Sequence, residues 1–241
     1  LELENMNVAF VSTCFGKFDI EEYWDFVYPT VDEYSKNLDI DFHLIEKNLD
    51  PDRDPQWSKI LAIQKYLHDY DWLVWIDADI MIMNQTIDIR EYINADYEFI
   101  ITEFQKQSLY NLNTGLFFIK GKSEWSERFL NGVYYGNNKF VNNPTKKYHE
   151  QSSMGVFFEN NKIKNKVLIR KPTIHKTWPI FMPDPEDLLL HPNDGQIQTW
   201  LRRYQTRYFK KGDFTAHVLS REMKERARIY RLLSNHVLWH D

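Results

Sequence analysis

The sequence predicts an α/β fold in which a mostly parallel central sheet is flanked by helices, with an Asp-x-Asp pair at one strand end. Three observations carry this. Short apolar runs of strand length alternate with segments of helical periodicity through the first half of the chain. The run Trp72 to Ile76 is wholly apolar and stops abruptly at Asp77-Ala78-Asp79. No repeat, low-complexity tract or composition shift marks a linker, so residues 6–241 read as a single domain.

Met6 to Ser12 reads as the first buried strand, ending in the polar pair Ser12-Thr13. Ile20 to Asn37 places Tyr23, Phe26, Val27, Val31 and Tyr34 at helical spacing, and Pro29 should kink or divide that helix. Ile40 to Ile45 is a second strand, and the Asp- and Pro-rich segment Asn48 to Pro55 a loop. Trp57 to Leu67 is helical, and Trp72 to Ile76 is the third strand. Tyr97 to Thr102 and Leu112 to Ile119 follow as strands. Ser123 caps a helix running to Leu130, Glu150 to Asn160 is helical, and Val167 to Arg170 is a strand. Pro172 to Pro192 holds five prolines and reads as irregular. Gly212 to Val218 is a late strand before a charged helix, Arg221 to Leu233. Strands and helices that alternate in this way favour a parallel sheet with helices on both faces. The ligand then lies beyond the C-terminal strand ends, where Ser12-Thr13 and Asp77-Ala78-Asp79 share one rim.

Composition narrows the function classes. Hydrophobic residues make up 43% and charged residues 27% of the 241, the profile of a globular chain with a substantial core. The net charge of −5 argues against nucleic-acid binding through phosphate contacts. Arg202-Arg203 and Lys210-Lys211 are short basic runs that read as solvated faces. The single cysteine, Cys14, excludes an internal disulfide and a cysteine-based zinc site. No apolar run is long enough to span a membrane. Leu1 to Asn5 read as an appended remnant before Met6. A native start at Met6 implies a cytoplasmic protein, and a truncated longer chain implies a lumenal, Golgi-type one. Aromatics at 16% are explained first by the core, although sugar-stacking surfaces also enrich Trp and Tyr.

Asp77 and Asp79 close a buried strand, and residues two apart in extended chain point to the same side. Two converging carboxylates repel unless a cation lies between them, and with a divalent ion they form a hard oxygen site open to phosphate oxygens. The alternative is a pair of turn residues, because Asp is common at strand ends. The apolar run before the pair and Ile80 to Met83 after it favour the metal.

From these residues the chain resembles the GT-A-fold (Rossmann-like) glycosyltransferases with their DxD motif. More specifically, it resembles the galactosyl/xylosyltransferase family of fungal α-galactosyltransferases, mannan-synthesis mannosyltransferases and plant xyloglucan xylosyltransferases. Four features carry the likeness in the family's order: Trp57-Ser58-Lys59, Asp77-Ala78-Asp79, Asn113-Thr114-Gly115-Leu116-Phe117-Phe118, and Gly212-Asp213-Phe214-Thr215-Ala216-His217. Glu150-Gln151 is a weaker fifth. The likeness spans roughly residues 8 to 220.

The resemblance implies a nucleotide-sugar donor, a glycan or glycoconjugate acceptor and a metal held by Asp77, Asp79 and His217. Mn²⁺ suits an imidazole beside carboxylates, with Mg²⁺ as the alternative. The first Asp is expected to contact ribose or a metal-held water, and the second to chelate directly. Ser12, Thr13, Lys59, Asp77, Ala78, Asp79, Asn113, Thr114, Gly115 and Arg221 are the expected donor-binding residues. Catalysis falls to Gln151 beneath the anomeric carbon, with Glu150 and Asn113. Each has a plainer reading: Lys59 as an exposed helix lysine, His217 as a satisfied histidine near a strand end, Asn113 as a turn former, and Glu150 as a helix-start acid. Trp178, Phe181 and Tyr148 are expected acceptor platforms in the less regular second half, the first half binding nucleotide. The implied outcome is retention of configuration, whereas inversion would call on Glu103 or Glu150 as base.

The chain departs from the family in three places. Glu150 stands where the family has Asp, Val218-Leu219-Ser220-Arg221 replaces a Gly- and Cys-containing segment, and the lysine that meets the departing phosphate has only Lys224, displaced, or Arg221 in its stead. Two enzyme rivals lack their marks. A pyrophosphorylase needs a Gly-rich, Arg-bearing loop where Thr13-Cys14-Phe15-Gly16-Lys17 stands. A haloacid-dehalogenase-like phosphatase carries its Asp pair after the first strand, followed by Thr or Val rather than Ile80-Met81. A sugar-binding scaffold of the same fold is the non-enzymatic rival.

Overall fold

A computed structural model describes residues 5–103, 112–142, 149–161, 163, 165–171, 174–176, 187–190, 195, 209–218 and 222–239. In chain order the elements are β1 (Val8–Thr13), α1 (Tyr28–Asn37), β2 (Asp41–Ile45), α2 (Ser58–Tyr66), β3 (Trp72–Ile76), β4 (Ile80–Ile82), β5 (Phe99–Glu103) and β6 (Leu112–Lys120). Then come α3 (Glu124–Tyr135), α4 (His149–Asn160), β7 (Val167–Arg170), the single turn α5 (Asp187–Leu190), β8 (Thr215–His217) and α6 (Met223–Ser234). The chain forms two compact units. One comprises residues 1–15, 40–77 and 90–170, the other residues 16–39, 78–89 and 171–241. Among the described residues no helix is long and apolar enough to cross a membrane.

The first unit is built on a six-stranded sheet in the order β2-β1-β3-β6-β5-β7. The pairs β1–β2, β1–β3 and β5–β7 are parallel, and β6 runs antiparallel to both neighbours. Every residue of β3 is buried, which is why it reads as an unbroken apolar run. Period-two alternation sends Ala9, Val11, Leu73, Trp75, Phe99, Ile101, Phe117 and Ile119 into one core with Ile60 and Ile63 of α2, Phe129 and Val133 of α3, and Phe158 of α4. Phe129 stacks on Trp125 and on Phe158 and tilts against Phe99, so this core takes up much of the aromatic content. Burying one such ring contributes roughly 1.5–3 kcal/mol. Ser123 caps α3 by accepting from Ser126 N–H at 3.3 Å, and it also donates to Glu98 Oε2 at 2.6 Å, tying the helix start to the sheet.

The antiparallel return of β6 has a local consequence. Its register pairs Ile76 with Leu116, and Asp77 N–H donates to Gly115 O at 2.8 Å, so Asn113-Thr114-Gly115 comes back beside the end of β3.

The second unit contains α1, the two-stranded β4–β8 ladder and α6. The helix predicted over Ile20 to Asn37 runs unbroken from Glu21 and changes from a π-helical turn, Tyr23–Val27, to α1 just before Pro29, which falls in the first turn of α1. Thr30 on α1 accepts from Ile82 N–H through its hydroxyl (3.1 Å) and from Gln85 through its carbonyl (2.8 Å), fixing α1 on the β4 segment. Gly212, at φ +95°, makes the turn into β8 that a side chain would strain. β4 was not foreseen as a strand. Three residues are too few for periodicity to register, and its partner β8 lies far along the chain.

Candidate metal and donor site

The acidic end of β3 is organised around a buried lysine. Lys59, in the first turn of α2, is 4% exposed, not a solvated helix lysine. Its Nζ lies 3.1 Å from Asp77 Oδ1 and 3.2 Å from Glu150 Oε1, and donates to Thr114 O at 2.9 Å. The ammonium also stands over the Trp75 ring, 5.2 Å from its centroid. Burial alone would lower the Lys59 pKa; the Asp77 and Glu150 carboxylates override it and hold the pKa above its ordinary value. Trp75 Nε1 donates to Asp77 Oδ1 at 2.6 Å.

Thr114 and the start of α4 complete this cluster. The Thr114 hydroxyl donates to Gln151 Oε1 at 3.1 Å. Asn113 accepts from Gly115 N–H at 3.0 Å, next to the irregularity in the β5–β6 register, so its Oδ1 is engaged within β6 itself. Glu150 is 5% exposed, and among the described residues its Oε2 meets no hydrogen-bond donor. Ser12 and Thr13 lie one and two residues beyond the Val11–Trp75 register pair, level with Ile76 and Asp77.

Ala78 and Asp79 form a turn rather than a continuation of the strand, so strand alternation does not govern where Asp79 points. The β4–β8 ladder does the work of bringing its partner. Ile80 pairs with His217, and Val218 N–H donates to Asp79 O at 2.8 Å. His217 Nε2 therefore stands 3.0 Å from Asp79 Oδ1. Arg226 of α6 donates to Asp79 Oδ2 at 2.6 Å, and His175 Nε2 lies 2.8 Å from His217 Nδ1. Burial would raise the Asp79 carboxyl; His217 and Arg226 beside it prevail and hold it well below the usual carboxylate range.

Asp77, Asp79 and His217 could hold a metal ion. The spacing of Asp79 Oδ1 and His217 Nε2 fits one: adjacent ligand atoms at about 2.1 Å from an octahedral ion lie roughly 3 Å apart. Two carboxylates and an imidazole suit a hard or borderline divalent cation.

Solved structures carry the same architecture. A glycosyltransferase involved in glycosylation of the major capsid of PBCV-1 superposes with a TM-score of 0.60 at 15% identity, covering 93% of this chain and 99% of that one. This is the GT-A glycosyltransferase fold. The galactosyltransferase LgtC, solved with donor and acceptor sugar analogues, shares the GT-A architecture with a TM-score of 0.58 at 12% identity over 98% of both chains. The glycosyltransferase GlyE of Streptococcus pneumoniae TIGR4 gives 0.50 at 12% identity over 96% of this chain and 63% of that one. No protein-family model matches the sequence, and no curated protein matches it significantly.

Within this GT-A chain the candidate residues gather in two clusters. Lys59, Asp77, Thr114, Glu150 and Gln151 form one, and Asp79 with His217 the other. Arg221, and the acceptor candidates Trp178, Phe181 and Tyr148, lie outside the described residues. Lys224 is on the exposed side of α6. Sequence reasoning missed Arg226 and His175. Arg226 did leave a signal: it falls in the buried stripe of α6 with Ile229, Tyr230 and Leu233, an apolar position filled by a guanidinium. His175, in a proline-rich irregular stretch, left none.

Proposed function

We propose that this protein is a metal-dependent glycosyltransferase that moves galactose, xylose, glucose or mannose from a UDP-sugar to a glycan hydroxyl, with retention of configuration. The observation that carries the reading is the buried Asp79–His217 contact next to the Asp77-Ala78-Asp79 turn of a GT-A fold. Asp77, Asp79 and His217 would hold Mn²⁺, or Mg²⁺ in its place, and the ion's charge would neutralise the diphosphate as the glycosidic bond breaks.

The chain's own residues do the remaining work in this reading. Ser12 and Thr13 receive the nucleotide at the strand ends, and Asn113, Thr114 and Gly115 face the donor sugar. Lys59 offsets one of the two negative charges of Asp77 and Glu150 before donor arrives. Glu150 Oε2 takes a sugar hydroxyl; this reading is supported by the cost of leaving a buried carboxylate oxygen without a donor. Gln151 lies beneath the anomeric carbon, and Arg221 meets the departing phosphate. Retention needs no separate base, because the departing phosphate oxygen can take the acceptor's proton on the same face. The acceptor binds over the second half of the chain.

The test is calorimetric titration of a nucleotide-sugar panel with and without Mn²⁺. Tight binding of one donor only with metal is expected, and it names the sugar. A folded protein that binds no donor with metal present overturns the reading in favour of a phosphatase. Donor binding without transfer or hydrolysis, across a broad acceptor panel, leaves a sugar-binding scaffold.

A further inference from the structure

We infer that His175 and Arg226 are positioning residues that prepare Asp79 and His217 to receive the metal, each by occupying the atom of its partner that must not face the ion. The inference rests on the metal reading above and concerns residues that the reading does not use.

Asp79 has two carboxylate oxygens and His217 two ring nitrogens. Arg226 Nη1 holds Asp79 Oδ2 at 2.6 Å, and His175 Nε2 holds His217 Nδ1 at 2.8 Å. The remaining pair, Asp79 Oδ1 and His217 Nε2, lie 3.0 Å apart. Arg226 thereby makes Asp79 a one-oxygen ligand. Without an ion, Nε2–H can donate to Oδ1 across this gap; with an ion there instead, a proton on His217 Nδ1, shared with His175, would leave the Nε2 lone pair for the metal. Two acceptors at that separation are stable with a cation between them, and a metal-ligating histidine is commonly fixed in this way through its other nitrogen.

Both positioning groups are themselves held. His175 is 2% exposed, and its backbone neighbours grip β8: Thr215 Oγ1 donates to Ile174 O at 2.8 Å, and His217 N–H donates to Lys176 O at 2.7 Å. The stretch 174–176 is thereby tied to β8 on either side of His175. Arg226 is 6% exposed and stands in the apolar stripe of α6, a position where burial of a guanidinium is tolerated because Asp79 balances it.

The experiment titrates Mn²⁺ alone into the protein and its variants, reading free ion by electron paramagnetic resonance, with thermal unfolding in EDTA as the folding control. His175→Leu and Arg226→Met are expected to weaken Mn²⁺ binding about 10- to 100-fold, and His175→Gln and Arg226→Lys to recover part of the loss. Unchanged or tighter binding by either folded Leu or Met variant overturns the inference while leaving the metal reading intact. If those variants do not fold, histidine-selective nitrogen spectra of the Mg²⁺-loaded wild type decide. A proton on His217 Nδ1 supports the assignment, and one on Nε2 overturns it. Wild-type protein that binds neither ion removes the metal reading and this inference with it.

Discussion

Lys59 Nζ lies 3.1 Å from Asp77 Oδ1, a buried cation set against the first acid of the motif. The same ammonium reaches Glu150 Oε1 at 3.2 Å, so one positive charge serves two carboxylates. Lys59→Met leaves both acids without it and should lower stability by about 3 kcal/mol, measured as the shift of a urea unfolding curve at pH 7. Adding Glu150→Gln should recover part of that loss. A single variant as stable as wild type would show that the lysine is not what balances the acids.

Asp79→Asn preserves shape and removes charge. Arg226 then stands buried beside a neutral amide whose single oxygen it engages, so an NH2 in place of an oxygen faces His217. Mn²⁺ affinity should fall at least roughly 100-fold, beyond what loss of an outer partner costs. Calorimetry with Mn²⁺ alone checks it, and unchanged affinity removes the basis for the metal assignment.

Glu98 gives a pH signature away from the site. Burial raises its carboxyl, but the hydrogen bonds from Ser123 and Lys166 outweigh that and lower it below its ordinary value of 4.5. A carboxyl lowered by folding contributes stability that is complete above the unfolded value and is lost as pH falls through the folded one. Wild type should therefore lose more stability than Glu98→Gln as pH drops below 4.5. Urea midpoints from pH 7 to 3 test this; parallel curves for the two proteins would refute it.

Phe129 lies inside the core of the first unit. Its ring meets Phe99, Trp125, Phe157 and Phe158 and has no exposed surface. Phe129→Ala should cost about 3–5 kcal/mol through the cavity it leaves. Mn²⁺ affinity of the folded fraction should stay unchanged, and a parallel loss of ion binding would mean that α3 packing sets the site.

The local elements were legible because local sequence encodes burial. Trp72 to Ile76 reads as a strand from five apolar residues in a row, and the structure ends β3 at Ile76. Val167–Arg170 has the expected bounds, and Ser123 is the cap its position predicts. Pro29 marks where its helix passes from a π-helical turn into α1, because a ring without an N–H cannot continue the i→i−4 ladder. The DxD residues were legible for the same reason, as charges interrupting a run that is otherwise buried.

His217 became a candidate only through resemblance, because nothing near it in the chain shows that Ile80 is its strand partner. The depth of Lys59, the pairing of Arg226 with Asp79 and the contact of His175 with His217 are likewise long-range facts. The sequence by itself determined most of the strands, helices and turns, β4 excepted, since side-chain periodicity and capping act within a few residues. Only the tertiary structure decided which buried charges meet. That depends on the register of the β3–β6 and β4–β8 ladders, where a one-residue slip would turn Thr114 or His217 to the opposite face.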